Sequence, residues 1–329
     1  MTGMDHPAAA RLRAESEHAL ATFLGRYPED AAYGLYAPVH YLMGLGGKRM
    51  RPVLALLAGE AEGNREAAAP VAVAVELFHN FTLMHDDIMD EAPLRRGRPT
   101  VHARWDTSAA ILSGDAMYTL AVTALAEAPA DRLPGLLACF NRTALEVCVG
   151  QQADLAFAGR QDVTVEDYCE MIRLKTSVLV AAACAMGAEA AGASAERVQR
   201  WYRFGERVGL AFQLQDDLLD AFGEATGKQL GGDILADKQT FLMLHAQAQA
   251  DGLLRAELDR WAGPTDRPQA KIQAVTAAFR ATGADHAAAA RMEQYAAEAA
   301  AELAALEIAD PDLADALAGL TRHAIERTA

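Results

Sequence analysis

The sequence predicts an all-α fold, one domain over residues 1–329 built from about ten or more helices. Three observations predict it. Apolar residues recur three and four positions apart in most segments. Alanine, leucine and glutamate, all strong helix formers, dominate. Every break between periodic runs is a short Gly- or Pro-bearing stretch, with no long linker, low-complexity tail or solenoid repeat between them. Hydrophobic residues make up 52% of the chain, ample for a substantial core.

Taken in order, "RLRAESEHALATFLGRY" (11–27) has the spacing of an amphipathic helix, and "GLGGKRMRP" (44–52) ends the helical run that follows. "PVAVAVELFHNFTLMHDD" (70–87) is β-branched enough to suggest a strand. It outruns ordinary strand length without an internal turn signal, so it reads as a buried helix beginning at Pro70. Breaks follow at "EAPLRRGRP", "EAPADRLPG", "AGRQDVT", "FGEATGKQLGGD" and "AGPTDRP". Between the last two lie helical runs, and "ARMEQYAAEAAAELAAL" (290–306) closes the series as an amphipathic helix packed on the bundle.

The net charge of −15 argues against a nucleic-acid partner, which would need a basic stripe to displace phosphate counterions. Cys139, Cys148, Cys169 and Cys184 lack CxxC spacing and read as buried free thiols in a reducing compartment. The first residues carry an acid and a histidine ahead of any apolar run, unlike a secretory signal. No segment reaches the roughly 20 uninterrupted apolar residues of a span, so the expectation is a cytoplasmic protein without stable membrane insertion.

Chemistry concentrates in two acidic clusters. "HDDIMDE" places Asp86, Asp87 and Asp90, and "FQLQDDLLDAFG" places Asp216, Asp217 and Asp220, in the same DDxxD spacing on apolar helices. The first and last aspartates of each set share a helix face, while the middle one turns away by about 100°. Carboxylates in such surroundings need partners, and two copies of one costly arrangement point to a shared use. Mg²⁺ prefers carboxylate oxygens and completes its shell with substrate phosphates, so paired clusters of this kind suit a diphosphate ligand.

Four basic stretches fit the same ligand. They offer Lys48, Arg49 and Arg51 in "GGKRMRP", Arg95 and Arg96 in "LRRGRP", Lys175 beside Thr176 in "RLKTS", and Lys228 and Lys238 in "TGKQLGGDILADK". His79 lies two helical turns before Asp86 and is a candidate for substrate contact. Neither Gly-Lys pair has P-loop spacing, and no HExxH or Cys/His set exists to hold zinc.

In this order and spacing the motifs "GGKRMRP", "HDDIMDEAPLRRGRPTVH", "GQQADL", "RLKTS", "FQLQDDLLD" and "GKQLGGDILADK" resemble the trans-prenyl diphosphate synthases of the polyprenyl synthetase family. The likeness runs from roughly residue 40 to residue 245. It implies a helical bundle around a deep central cavity, a homodimer, and Mg²⁺, about three ions once substrate is bound. By resemblance Asp86, Asp90 and Asp216 are direct metal ligands, with Asp87, Asp217, Asp220 and Asp233 in supporting or water-mediated positions. Arg95, Lys175, Lys228 and Lys238 would hold an allylic diphosphate, and Lys48, Arg51, His79 and Arg96 isopentenyl diphosphate. Thr176 and Gln213 would lie beside the nascent cation.

The implied reaction is Mg-dependent head-to-tail condensation of isopentenyl diphosphate with an allylic diphosphate. Residues one turn below Asp86 lie about 6 Å deeper along the helix. Thr82 is the small residue on that face. An aromatic at Phe81 resembles the short-chain synthases and suggests a C20 product, with C15 next. A silent synthase subunit would be expected to lose one acidic motif, and a terpene cyclase would not need Lys48, Arg51 and Arg96; all are present.

Overall fold

A computed structural model describes residues 6–160, 162–223 and 230–323. Along the chain run α1 (Pro7–Leu24), α2 (Ala37–Gly44), α3 (Met50–Ala61) and α4 (Arg65–Met89), then the two-residue strands β1 (Leu94–Arg95) and β2 (Arg98–Pro99). Next come α5 (Val101–Arg104), α6 (Thr107–Leu125), α7 (Leu133–Phe157), α8 (Val165–Ile172), a π-helical turn over Arg173–Ser177, α9 (Val178–Ala190) and α10 (Ala195–Phe222). The remainder is α11 (Gly232–Leu235), α12 (Phe241–Gln249), α13 (Gly252–Trp261), α14 (Pro268–Ala281), α15 (Ala284–Ala305) and α16 (Pro311–His323). The predicted all-α class holds, with one short antiparallel hairpin added.

The long apolar helix starts five residues before the predicted Pro70. Asn64 caps it, its side chain accepting from the Ala67 amide at 3.2 Å, and "REAAA" supplies good helix formers for the first turn. Pro70 therefore sits inside α4, where the loss of one backbone bond is tolerated near the N-terminus. The hairpin is built on Arg96 (φ +53°) and Gly97 (φ +72°), both left-handed, the combination that matches the twist of a two-residue turn.

The chain divides into two compact units. The first comprises Met1–Asn141, Ala182–Tyr202 and Leu306–Gly319. There α4 packs on α3 and α6 around Leu54, Leu57, Leu77, Phe78 and Met84. The second comprises Arg142–Ala181, Arg203–Ala305 and Leu320–Ala329, and its core runs from Met171 and Leu214 to Phe241, Val275 and Phe279.

Three helical stretches, Arg65–Met89, Thr107–Leu125 and Val165–Ala190, are long and apolar enough in composition to cross a membrane, although charged or polar residues interrupt each of them. Of their most apolar windows 61%, 44% and 78% is buried within the structure. The cysteines are free, but only Cys184 is buried; Cys148 is exposed, because it falls on the outer face of α7.

Candidate active site

In the first unit the loop before α3 turns through Gly46 (φ +77°), Gly47 (φ +146°) and Arg49 (φ +55°). The Arg96 guanidinium lies on this loop, donating to the Gly46 carbonyl, and a β-carbon on Gly47 would meet it at 3.0 Å. Arg51 donates to His79 Nε2 at 3.2 Å. Lys48, from the same loop, is exposed.

Of the predicted set Arg51, His79 and Arg96 thus converge, together with Arg95 and Arg49, all of which act electrostatically on His79. Burial, then Arg51, Arg96, Arg95 and Arg49, hold the imidazole well below its ordinary 6.5. Burial also pulls Arg51 down to about 10, which leaves it cationic at neutral pH.

Because the unfolded chain binds a proton at His79 near pH 6.5 and the folded chain refuses it, this site's contribution to stability is present above that pH and lost on acidification. We expect the unfolding free energy to fall by up to about 1.4 kcal/mol per pH unit just below that point. Denaturant titrations at stepped pH check this: His79→Gln should flatten the slope, and an unchanged slope would remove His79 as its source.

The first acidic motif closes α4. Asp86 is part-buried, and Asp90 caps the helix, its amide donating to the Asp86 carbonyl at 2.8 Å, so the expected one-turn relation is kept. Asp87 is 2% exposed and both its oxygens accept from Arg95 Nε, at 2.9 and 2.8 Å. The arginine fork neutralises the middle carboxylate and ties the hairpin to α4.

Chain-length candidates lie just below. Phe81 packs on Phe78, Tyr118 and His85, with ring centroids 5.5, 5.6 and 4.7 Å away. The Thr82 hydroxyl donates to the His79 carbonyl at 2.8 Å and stays within its own helix. His85 leans on α6 at Gly114, where any β-carbon would sit 2.2 Å from its Nε2.

In the second unit the π-helical turn carries Lys175 and Thr176. Insertions of this kind recur at functional sites because they re-aim side chains within a helix. Two glycines hold it: a β-carbon on Gly150 of α7 would lie 2.3 Å from the Lys175 amide nitrogen, and one on Gly209 of α10 2.7 Å from Ser177 Cα. Only glycine permits either approach.

A small cavity of about 80 Å³ is lined by Lys175, Thr176, Gln213, Asp217, Asp233 and Lys238, six predicted residues from three separate motifs, with Asp154 and Tyr168 beside them. Lys175 Nζ donates to Asp154 at 2.6 Å, and Thr176 Oγ1 to Gln213 Oε1 at 3.1 Å. Gln213 Nε2 donates in turn to Asp217 Oδ1 at 3.2 Å, and the Tyr168 hydroxyl to Asp217 Oδ2.

Asp217 is 3% exposed; burial pushes its carboxyl up to about 8, with the nearby Asp233 and Asp216 charges adding to the rise. Asp220 accepts from the Gly232 and Asp233 amides at 3.1 and 3.0 Å and so fixes the start of α11. Asp233 faces Lys238 at 3.4 Å. Lys228, a predicted diphosphate ligand, lies outside the described residues.

Asp154 and Tyr168 escaped the sequence reading as site residues. Asp154 stands in the quoted "GQQADL", one helix away from its partner Lys175; Tyr168 carries no local signal, being one apolar-face residue of α8.

Among the described residues no three of His, Cys, Asp and Glu stand close enough to hold an ion by themselves. The donor set nevertheless fits Mg²⁺. It consists of hard carboxylates, the ligand type that Mg²⁺ prefers, and an ion sharing its shell with phosphates would offset the charge that Asp233 and Asp216 place near Asp217. In each motif the middle carboxylate is bonded by protein groups, Asp87 by Arg95 and Asp217 by Tyr168 and Gln213.

Known proteins resemble this chain over most of its length. The chain is 41% identical to a geranylgeranyl diphosphate synthase of Methanosarcina mazei over 71% of its length and 74% of the relative's. It is 39% identical to a geranylfarnesyl diphosphate synthase of Natronomonas pharaonis, over 76% and 79%. A crystal structure of a geranylgeranyl pyrophosphate synthase superposes with a TM-score of 0.91 at 40% identity, covering 97% of this chain and 99% of that one. The polyprenyl synthetase profile matches residues 33–279, a span that contains both acidic motifs and every basic loop described above. The chain therefore belongs to the polyprenyl synthetase family and is a prenyltransferase of the short-chain trans-prenyl diphosphate synthase type.

Proposed function

We propose that the chain joins isopentenyl diphosphate head-to-tail (1′-4) to an allylic diphosphate and releases geranylgeranyl diphosphate (C20), with farnesyl diphosphate (C15) the alternative product. The observation that carries the reading is the second-unit cavity, where two cations, Lys175 and Lys238, meet a hydroxyl, an amide and the Asp217–Asp233 carboxylates.

Lys175, Lys238 and Arg95 bind the allylic diphosphate, and with Lys228 they stabilise it as the leaving group. Asp86, Asp90 and Asp216 would hold Mg²⁺, about three ions, which would supply the positive charge that neutralises the leaving diphosphate. Thr176 Oγ1 and Gln213 Oε1 turn oxygen dipoles towards the positive carbon. Lys48, Arg51, Arg96 and neutral His79 bind the isopentenyl diphosphate, whose double bond attacks. The proton lost from the condensed product goes to the released diphosphate. Apolar walls exclude the water that would trap the cation.

The test is to incubate the protein with Mg²⁺, isopentenyl diphosphate and, separately, C5, C10 and C15 allylic diphosphates, then resolve the products by length. Accumulation at C20 is expected. No elongation from any primer would refute the synthase reading and favour a silent subunit.

Phe81 is proposed as the floor, supported by the rings of Phe78 and Tyr118 behind it, with Thr82 leaving space on the adjacent face. Phe81→Ala should shift the main product by at least one C5 unit, read by the same chromatography. An unchanged spectrum would remove it from the floor.

The whole chain is proposed to act as one synthase domain, since the family match extends across residues of both units. A cytoplasmic homodimer without membrane insertion is proposed with it, supported by exposed Ile111 (43%) and Leu112 (59%) on α6 and by the burial of the apolar helices. Light scattering at twice the chain mass of 35.1 kDa is the expected result.

A further inference from the structure

The loop from Gly231 to Thr240 carries Asp233 and Lys238, and it runs over α14, a helix outside every motif described above. Lys271 of α14 is 1% exposed, one of the largest fully buried side chains in the protein. Its ammonium donates to Asp237 Oδ1 at 2.6 Å and to the Gly263 carbonyl at 2.9 Å, while the Gly263 amide donates to Asp237 Oδ2 at 3.1 Å. Both Asp237 oxygens are thereby tied to a single buried anchor.

The backbone at that anchor is unusual. Asp237 sits at φ +52°, a left-handed conformation that aspartate adopts more readily than most side chains but that still needs support. On one side of it the Lys238 amide donates back to the Asp233 carbonyl at 3.0 Å, so the left-handed residue is what folds Lys238 against Asp233. The same helix meets the other end of the loop, where Ile272 packs so closely under Gly231 that a β-carbon there would lie 2.7 Å from it. A buried ammonium costs heavily unless paired, so its retention here beneath a loop rather than in the core calls for a use.

We propose that Lys271 is a positioning residue for the diphosphate end of the site: with Asp237 and Gly263 it clamps the left-handed turn that aims Lys238 and Asp233 into the cavity. The inference rests on the synthase reading for what the loop binds, and on local geometry alone for the clamp.

The test uses the full chain with Lys271→Met, which keeps the volume and removes the charge, and the double variant Lys271→Met/Asp237→Gly, which also removes the orphaned carboxylate and the left-handed strain. Hydrogen–deuterium exchange over residues 231–240 reads the clamp without any ligand. Kinetics reads its consequence.

Lys271→Met should speed exchange in the loop at least about tenfold and lower kcat/KM for the allylic diphosphate about 10- to 100-fold, the range expected for a small misplacement of a binding group. The KM for isopentenyl diphosphate should change less than about twofold, and the double variant, which lacks both partners of the clamp, should keep both losses. Unchanged loop exchange, equal loss towards both substrates, or full recovery in the double variant would overturn the proposal. Should Lys271→Met not fold, Asp237→Asn, which tolerates the left-handed turn and lacks the charge, carries the same readouts. A wild-type protein inactive with every primer would defeat the synthase reading, and the exchange data would still decide the clamp.

Discussion

Asp216→Ala and Asp86→Ala should each lower turnover by about 10³-fold or more, while circular dichroism stays that of the wild type. Asp87 and Asp217 are buried and bonded within the protein, to Arg95 in one case and to Tyr168 and Gln213 in the other. Their neighbours Asp86 and Asp216 are part-buried at the outer face of the same turns. Replacing either by alanine deletes a carboxylate from a region already crowded with negative charge, which should cost the fold little. On the proposed assignment it also removes an oxygen ligand for the ion that would neutralise the leaving diphosphate.

Steady-state rates over a Mg²⁺ titration check this: saturating metal should not rescue either variant, and near-normal rates at high Mg²⁺ would sink the ligand assignment. Asp87→Ala should behave differently. It frees the Arg95 guanidinium beside α4, so thermal stability should drop along with activity.

The contrast between outer and middle aspartates marks how far the sequence could be read. Helical periodicity and the twin DDxxD spacing are local properties, and both aspartate sets do lie on or at the end of long helices. The basic residues were harder. In "GGKRMRP" three cations stand within four positions, and nothing local separates exposed Lys48 from Arg49, which the left-handed turn at φ +55° sends into the interior. At α4 the local cues conflict: Pro70 reads as a boundary, whereas the cap that starts the helix is Asn64, six residues earlier. Lys175 and Asp154 are 21 residues apart, Tyr168 and Asp217 49, and Lys271 and Asp237 34. Such pairings arise from tertiary packing, which periodicity does not report.

That interior arginine carries the second large effect, on stability. Arg49 and Glu76 are 7% and 4% exposed, with Arg49 Nη1 2.5 Å from Glu76 Oε1. Arg49 Nη2 donates to the Met43 carbonyl at 2.8 Å, and Asn80 Nδ2 to Glu76 Oε1 at 3.0 Å. The pair thus ties the loop before α3 to the middle of α4. Replacing both partners by apolar residues could be neutral, but Glu76→Ala leaves a guanidinium in the core with a carbonyl as its remaining partner, which should cost about 3–5 kcal/mol. At 2–4 °C per kcal/mol for chains of this order of size, Tm should fall by roughly 10 °C.

Thermal unfolding without substrate or Mg²⁺ measures the effect, with Glu127→Ala at the exposed Arg26–Glu127 pair as a control that should leave Tm in place. A Glu76→Ala protein melting within about 2 °C of wild type would mean that the Arg49 charge finds water or another acceptor, and that the loop does not depend on this pair for its shape. If the large drop is seen, the rate loss in Glu76→Ala, assayed well below its lowered Tm, should fall on the KM for isopentenyl diphosphate, because the turn anchored by Arg49 also carries Lys48 and leads into Arg51.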